Sequence, residues 1–167
     1  EINENEHFIL SFEKYLDKLP EEQDLKLVEQ MRLQGGKILP EIDDALKDYF
    51  GEYDVVGSEI SLEEDIEGED TYHFVGYIDG VVKTPDGKYH IFDWKTCSWG
   101  WDARKKSDPM VTYQLTLYKY FFSKKMNIDP KLIETHFALL KRTAKKNRVE
   151  FFRVTSGPRK TNNAIKL

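Results

Sequence analysis

A tight turn between two strand-like segments constrains the fold of this sequence more than any other feature. In Thr84-Pro85-Asp86-Gly87, the proline presets the backbone angle φ and the glycine accepts the left-handed conformation that such a turn requires. The flanking segments, 72–83 and 88–96, are rich in β-branched and aromatic residues. We therefore predict an antiparallel hairpin of these two strands.

The remaining segments alternate between helical and strand periodicity. Apolar residues at helical spacing predict three helices before residue 50, with a break at Gly35-Gly36 between the second and the third. The further predicted segments are a strand 55–62, an acidic loop 63–70, a helix from Pro109 to near Asn127, strands 132–140 and 149–154, and a loop entering a helix over 156–167. This order predicts an α/β fold with a mixed central sheet flanked by helices.

The length of 167 residues suits a single domain, 1–167, with a helical part (1–50), a core (53–155) and the start of a truncated C-terminal helix (156–167). No apolar run is long enough to span a bilayer, so we expect a soluble, cytoplasmic protein that does not bind membranes. The chain begins without Met and ends inside a predicted helix, so we expect it to have been trimmed. The single cysteine, Cys97, excludes an internal disulfide and a four-cysteine cluster made by one chain.

The net charge of −5 conceals a strong asymmetry along the chain. Residues 1–70 contain 22 acidic and 6 basic side chains, a net charge of −16, whereas residues 71–167 contain 8 acidic and 19 basic ones, a net charge of +11. A polyanion such as nucleic acid could bind the basic part, although acidic helices could equally pack against a basic sheet.

The predicted hairpin brings two carboxylates and a lysine together. Asp93 and Lys95 are two residues apart on a strand and therefore share a face. Asp79 and Asp93 are each seven residues from Asp86, so the hairpin register places them close together. An Asp93–Lys95 salt bridge at a strand end, with Asp79 as a solvated acid, would also account for this pattern.

Two adjacent carboxylates repel each other unless a cation holds both. A divalent ion with oxygen ligands resolves this conflict, and Mg²⁺ or Mn²⁺ suits a carboxylate site completed by phosphate and water. Such an ion can activate water for attack on a phosphodiester, with Lys95 stabilising the developing charge. On its own, the pattern supports a facing pair of acids, Asp79 and Asp93, with Lys95 beside one of them, where such an ion could bind.

Three motifs carry a family resemblance: Gly76-Tyr77-Ile78-Asp79-Gly80, Ile91-Phe92-Asp93-Trp94-Lys95-Thr96 and Gln114-Leu115-Thr116-Leu117-Tyr118. Together they resemble the RecB-type branch of the PD-(D/E)XK nuclease superfamily. The resemblance implies a restriction-endonuclease-like αβββαβ core with extra N-terminal helices and a metal-dependent nuclease centre whose catalytic residues are Asp79, Asp93 and Lys95. It also implies metal ligation by Asp79, Asp93 and the backbone carbonyl of Trp94. Gln114 and Tyr118 would contact nucleic acid or complete the site. The last two residues share a helix face, and they could alternatively only cover the sheet.

The sequence departs from the branch at two places. Where the branch often carries a metal-binding histidine before the first strand, this chain has Pro40, so the third ligand is expected to be Glu59, Glu41 or water, with Glu59 favoured by its place on the adjoining strand. Members with an iron-sulfur cluster use four cysteines, so no such cluster is expected here. The cluster-free phage-type and mitochondrial-type single-strand exonucleases remain as the resembling members.

The loop between the Lys95 strand and the next helix mixes aromatic and basic side chains. Stacking on bases and contact with phosphates are expected there from Trp99, Trp101, Arg104, Lys105 and Lys106. At least one of the two tryptophans is expected to seal the core instead. Lys141 and Arg142, at the end of a later strand, are candidate phosphate contacts on weaker grounds.

These features predict a Mg²⁺- or Mn²⁺-dependent deoxyribonuclease, acting on single strands or DNA ends in replication, repair or recombination. A helicase or recombination protein is a possible partner, in the cytoplasm of a bacterium or a phage-infected cell. The alternatives are a catalytically inactive nucleic-acid-binding module of the same fold and a structural partner domain. The sequence leaves open exonuclease or endonuclease action, polarity, DNA or RNA as substrate, and the oligomeric state.

Overall fold

The computed structural model describes residues 3–19, 24–66 and 73–166. Its centre is a five-stranded sheet with the strand order β1-β2-β3-β4-β5, in which all neighbours are antiparallel except the parallel pair β3 and β4. The mixed α/β sheet flanked by helices that the sequence predicts is confirmed. Within the described ranges, no helix has the length and apolar character needed to cross a membrane.

The chain alternates helices and strands in the predicted order. The helices are α1 (Glu4–Leu16), α2 (Leu25–Ile38), α3 (Ile42–Phe50), α4 (Ala103–Ser107), α5 (Pro109–Met126) and α6 (Pro158–Ile165). The strands are β1 (Asp54–Asp65), β2 (His73–Lys83), β3 (Tyr89–Cys97), β4 (Ile133–Lys141) and β5 (Val149–Val154). The hairpin of β2 and β3 around the Thr84-Pro85-Asp86-Gly87 turn lies beside β4.

Helix α5 connects the parallel strands β3 and β4, and its ends have clear local causes. Asp108 caps its first turn by accepting a hydrogen bond from the Met110 amide at 2.9 Å, and Pro109 occupies the first helical position, where no amide hydrogen is needed. Asn127 ends the helix in the left-handed conformation, with a φ of 51°. The helix therefore begins at Pro109 and ends at Met126.

The two faces of the sheet are covered by different helices. On one face, α5 packs on a core that includes Ile91, Phe137 and Val154. On the other face, α3 contributes Phe50, whose ring lies 6.2 Å from Phe92 and 5.2 Å from His136. Because strand side chains alternate, Asp93 faces α5 and its neighbour Phe92 faces α3.

Gly76 and Gly80 have separate packing reasons. A methyl group on Gly80 would overlap the ring of Phe92, and one on Gly76 would lie 2.9 Å from Tyr118 Cε1. The glycines on either side of Asp79 therefore let one aromatic ring approach β2 from each face of the sheet.

The structure corrects three boundaries. The predicted break at Gly35-Gly36 is wrong, because α2 continues through both glycines and the ring of Phe8 packs where a Gly35 side chain would be. Strand β1 runs on to Asp65, so residues 63–65 are paired with β2 and are not loop. The loop after β3 contains the short helix α4, capped by Asp102. Residues 67–72, which include the rest of the predicted acidic loop, lie outside the described residues.

We predict that Gly80→Ala destabilises the protein by about 1–3 kcal/mol, because the added methyl group forces the Phe92 ring or the β2 backbone to move. Urea unfolding followed by circular dichroism measures this loss. Gly36→Ala is the matched control: nothing lies within 4 Å of its added methyl group, and the helical position predicts a gain of about 0.5–1 kcal/mol. Equal stability of Gly80→Ala and the parent chain would contradict the packing described.

Candidate active site

The β2–β3 ladder ends where the two candidate carboxylates would face each other. The last backbone pair is Gly80 with Phe92, so the next pair in this register is Asp79 with Asp93. In place of a backbone partner, the Trp94 amide donates a hydrogen bond to Asp79 Oδ2 at 2.7 Å. The Asp79 carboxylate is thereby fixed at the end of the ladder, beside β3.

Asp93 is a buried acid on the α5 face of the sheet. Its side chain is 4% exposed, and Lys95 Nζ lies 2.6 Å from its Oδ2. Burial raises the pKa of the Asp93 carboxyl above its ordinary value and nearby Asp79 adds to this rise, while the Lys95 ammonium opposes it. Burial therefore affects the pKa of Asp93 more than the ion pair with Lys95 does. Keeping this carboxylate ionised in the folded protein costs free energy.

An irregularity in β2 positions Asp79. Ile78 and Val81 are both fully buried in the same core cluster with α5, although residues three apart on a regular strand point to opposite faces. The alternation therefore shifts between them, at Asp79 and Gly80. On the neighbouring strand β1, Glu59 interrupts the pairing with β2. Its φ of 49° is a left-handed conformation that is unusual for a residue with a side chain.

Gln114 and Tyr118 of α5 lie next to this pair of acids. Gln114 Nε2 donates a hydrogen bond to the Tyr118 hydroxyl at 2.9 Å. Burial raises the pKa of the Tyr118 hydroxyl, and the charges of Asp93, Lys95 and Asp79 are close enough to act on it. The five residues of the three sequence motifs are thus brought to one place on the α5 face.

The donor atoms at this place fit a hard divalent ion. Asp93 Oδ2 is buried and accepts no well-aligned hydrogen bond from the described residues, and the Lys95 ammonium lies 2.6 Å from it. The amide and carbonyl of a strand residue point to the same neighbour, so the Trp94 carbonyl is directed towards β2, as its amide is. Two carboxylates and a carbonyl form the all-oxygen donor set that Mg²⁺ and Mn²⁺ prefer.

Among the described residues, neither of the two acids expected as a third ligand is in place. Glu59 is exposed, and its carboxylate does not join Asp79 and Asp93 in a group of ligand atoms within 4.8 Å of one another. Glu41 is held elsewhere, since its carboxylate accepts hydrogen bonds from the Arg148 guanidinium and from the Arg148 amide, the latter at 2.7 Å. Glu59 is the nearer of the two in the sheet register, because its position on β1 is opposite Asp79 on β2.

The two tryptophans of the loop after β3 have different surroundings. Trp99 is 77% exposed. Trp101 packs on the core, with its ring centre 5.2 Å from that of Phe137, and Lys105 Nζ lies 4.6 Å above its ring. The expectation that one of the two seals the core is met by Trp101, and Trp99 is left as the open aromatic surface.

The candidate basic residues divide into exposed and paired side chains. Arg104 and Lys105 on α4 are exposed. Lys106 and Lys141 both contact the Glu150 carboxylate, at 2.6 and 3.1 Å. Glu150 therefore neutralises much of the positive charge that the sequence assigns to these two lysines. Arg142 is half-buried, and its Nε has no acceptor among the described residues.

A second group of ligand-type side chains escaped the sequence analysis. His90, Glu134 and His136 lie on the face opposite Asp93, with one ligand atom from each within 4.8 Å of the others. The signal was the spacing Glu134-Thr135-His136, which places an acid and a histidine on one face of a strand, but the neighbouring strand had to be known to add His90.

We predict that Asp93→Asn stabilises the metal-free protein. A carboxyl whose folded pKa is raised contributes stability below its unfolded pKa and loses it as the pH rises through the folded pKa, so at pH 7 the ionised form is destabilising. The expected result is therefore a Tm above that of the parent chain. Thermal unfolding in EDTA at pH 7 measures it.

Asp48→Asn, at an exposed acid of α3, should leave the Tm unchanged. A lower Tm for Asp93→Asn would mean that the ion pair with Lys95 dominates.

Comparison with known proteins shows which family this chain belongs to. A family model described as the PD-(D/E)XK nuclease superfamily matches residues 3–164. No match is found among curated proteins. Among solved structures, the crystal structure of SSO0001 aligns with 95% of this chain and 80% of its own, at 15% sequence identity and a TM-score of 0.47.

Members of the superfamily generally hydrolyse phosphodiester bonds with divalent metal ions, which implies a nucleic-acid substrate. Because the family model spans nearly the whole sequence, the chain belongs to the PD-(D/E)XK nuclease superfamily.

Proposed function

We propose that this chain is a Mg²⁺- or Mn²⁺-dependent deoxyribonuclease of the RecB-type branch, with Asp79, Asp93 and Lys95 as its catalytic residues. The single observation that carries the proposal is the convergence of the three motifs at the end of the β2–β3 ladder. Asp79 bonds to the Trp94 amide, Asp93 pairs with Lys95, and Tyr118 lies within electrostatic reach of all three charged side chains.

The chemistry follows from the charges of these side chains. Asp79, Asp93 and the Trp94 carbonyl would hold a divalent ion, which supplies a counter-charge and Lewis acidity for a phosphate group. Lys95 is 32% exposed, so its ammonium reaches solvent while it contacts Asp93. There it can orient a water molecule and stabilise negative charge on the scissile phosphate. Hydrolysis forms a bond from the water oxygen to phosphorus, breaks a bond from phosphorus to a sugar oxygen, and transfers a proton to that oxygen.

A preference for single strands or ends is supported by the loop after β3. The exposed Trp99 ring offers a surface on which an unpaired base can stack, and Arg104 and Lys105 on α4 provide nearby positive charge. Gln114 and Tyr118 lie on α5, the helix that follows this loop, and are proposed to contact the nucleic acid. Lys106 and Lys141 are weaker candidates because they pair with Glu150, Trp101 because it packs on the core, and Arg142 because it is half-buried.

Glu59 is proposed as the third acidic ligand, reached by a small rearrangement of β1. Its register position is opposite Asp79, and its left-handed backbone is a strained conformation of the kind found at functional sites. Water or a substrate phosphate oxygen can fill the same position.

We predict that the purified chain degrades labelled single-stranded DNA with Mn²⁺ and that EDTA stops the reaction. Lys95→Ala should lower the rate by about 10²–10³-fold, because it removes a charge aimed at the transition state, and Asp93→Ala by at least as much. Rates under single-turnover conditions measure both losses. Lys131→Ala, which removes an exposed lysine between α5 and β4, is the control and should keep the full rate. Full activity of both Lys95→Ala and Asp93→Ala would place the catalytic centre elsewhere.

We predict that Trp99→Ala and Trp101→Ala fail in different ways. Loss of the exposed Trp99 ring should weaken single-stranded DNA binding by about 1–3 kcal/mol and leave the Tm unchanged. Loss of the Trp101 ring should lower the stability by about 3 kcal/mol, because it opens a cavity beside Phe137 and Phe152. Fluorescence anisotropy and thermal unfolding separate the two effects. Unchanged DNA affinity of Trp99→Ala would remove this residue from the interface.

A second candidate function is a DNA-binding module of the same fold without catalysis. It is favoured by the exposed Glu59 carboxylate, which does not join the two aspartates in one group of ligand atoms, and by Pro40 in place of the expected histidine. Salt-sensitive DNA binding without cleavage in any divalent ion would support this candidate over the nuclease.

A further inference from the structure

Three metal-ligating side chains meet on the face of the sheet that packs against α3. His90 on β3 is the register neighbour of Glu134 on β4, and His136 lies two residues further along β4 on the same face. The two histidines are buried, with 8% and 2% exposure, and Glu134 is partly buried. The parallel pairing of β3 with β4 therefore assembles two imidazoles and a carboxylate on the side of the sheet away from Asp93.

The spacing of the two imidazoles suits a shared ion. His90 Nδ1 and His136 Nε2 are 3.1 Å apart. Two nitrogens bound to tetrahedral zinc, each at 2.0–2.1 Å from the metal, lie about 3.3 Å from each other. Glu134 Oε2 is 3.9 Å from the same His90 nitrogen, close enough to reach an ion held by the histidines.

The outer atoms of all three ligands are fixed by hydrogen bonds. The Tyr49 hydroxyl contacts His136 Nδ1 at 3.1 Å, and the Thr84 hydroxyl contacts His90 Nε2 at 3.0 Å. Lys88 and Arg153 hold Glu134 Oε1, at 3.1 and 3.3 Å, and leave Oε2 towards His90. Partners of this kind on the far nitrogen of a histidine orient the ring and select the tautomer in metal sites.

Both histidines are uncharged at neutral pH. Burial lowers the pKa of His136 to about 3, and burial also lowers the pKa of His90 below its ordinary value. Neutral imidazole is the form that binds metal. When an ion binds, the proton between the two facing nitrogens moves to the outer nitrogen of the same ring, where the hydroxyl of Tyr49 or Thr84 can accept it. Without an ion, the same atoms form a chain of hydrogen bonds from Tyr49 through both histidines to Thr84.

We propose that His90, Glu134 and His136 bind one divalent cation of the zinc type, separate from the nuclease centre, and that this ion braces β3 against β4 and the β2–β3 turn. Two nitrogens and one oxygen favour Zn²⁺ over Mg²⁺, in contrast to the all-oxygen donors of Asp79 and Asp93. A cleft of about 380 Å³ that also includes Thr84 and Asp86 gives water access to the remaining coordination position.

The test uses Co²⁺ and Zn²⁺ as probes and an Asp79→Asn/Asp93→Asn chain, in which the all-oxygen site is removed. One Co²⁺ per chain should bind, with the visible absorption of a tetrahedral site, and Zn²⁺ should displace it and raise the Tm. His136→Asn should abolish the absorption, and Glu134→Gln should weaken binding at least about 10-fold. Tyr49→Phe should weaken it by about 10-fold through the lost contact to His136.

The control is His73→Gln, which removes an exposed histidine that is paired with Asp65 at 2.6 Å and should leave binding unchanged. If His136→Asn does not fold, His90→Gln replaces it, because His90 is the less buried histidine. The Co²⁺ absorption should be lost in this variant too. In the chain with intact aspartates, His90→Gln should keep the Mn²⁺-dependent cleavage rate within about twofold. Absence of stoichiometric Co²⁺ and Zn²⁺ binding, or unchanged affinity in both His90→Gln and Glu134→Gln, would overturn the proposal and leave the hydrogen-bond chain as the role of this cluster.

Discussion

The buried carboxylate of Asp93 is the constraint around which this fold is organised. It is almost completely removed from water at a strand end, where burial outweighs the attraction of Lys95. An arrangement that costs free energy in the metal-free protein, with Asp79 held beside it by the Trp94 amide, is expected where a cation completes the site. An apolar residue at position 93 would stabilise the sheet more than this carboxylate does.

The sheet accommodates this cost through local departures from regular structure. The β2–β3 ladder stops one pair before the acids, the alternation of β2 shifts between Ile78 and Val81, and Glu59 adopts a left-handed conformation across from them. Gly76 and Gly80 permit close aromatic packing on either side of Asp79. The site is therefore a local break in a well-packed sheet, and α5 packs on the core beside it.

Much of this arrangement could be predicted from local sequence. The Pro-Asp-Gly turn sets the hairpin register, which brings Asp79 to Asp93, and the spacing of Gln114 and Tyr118 puts them on one helix face. Long-range contacts could not be predicted. The ring of Phe8 packs against α2 at Gly35, where the helix continues. Glu150 neutralises two of the candidate basic residues. The pairing of β3 with β4 joins His90 to Glu134 and His136. Each of these depends on a partner more than 25 residues away or on a neighbouring strand.

The central claim is that Asp79 and Asp93 hold the catalytic metal ion. Anomalous scattering from Mn²⁺, in crystals of the Lys95→Ala variant bound to a short single-stranded oligonucleotide, locates the ion directly. The account predicts a strong peak between the carboxylates of Asp79 and Asp93 on the α5 face of the sheet, next to a phosphate of the oligonucleotide. Oligonucleotide bound with no peak between these two carboxylates, or with Mn²⁺ only at His90, Glu134 and His136, would contradict it.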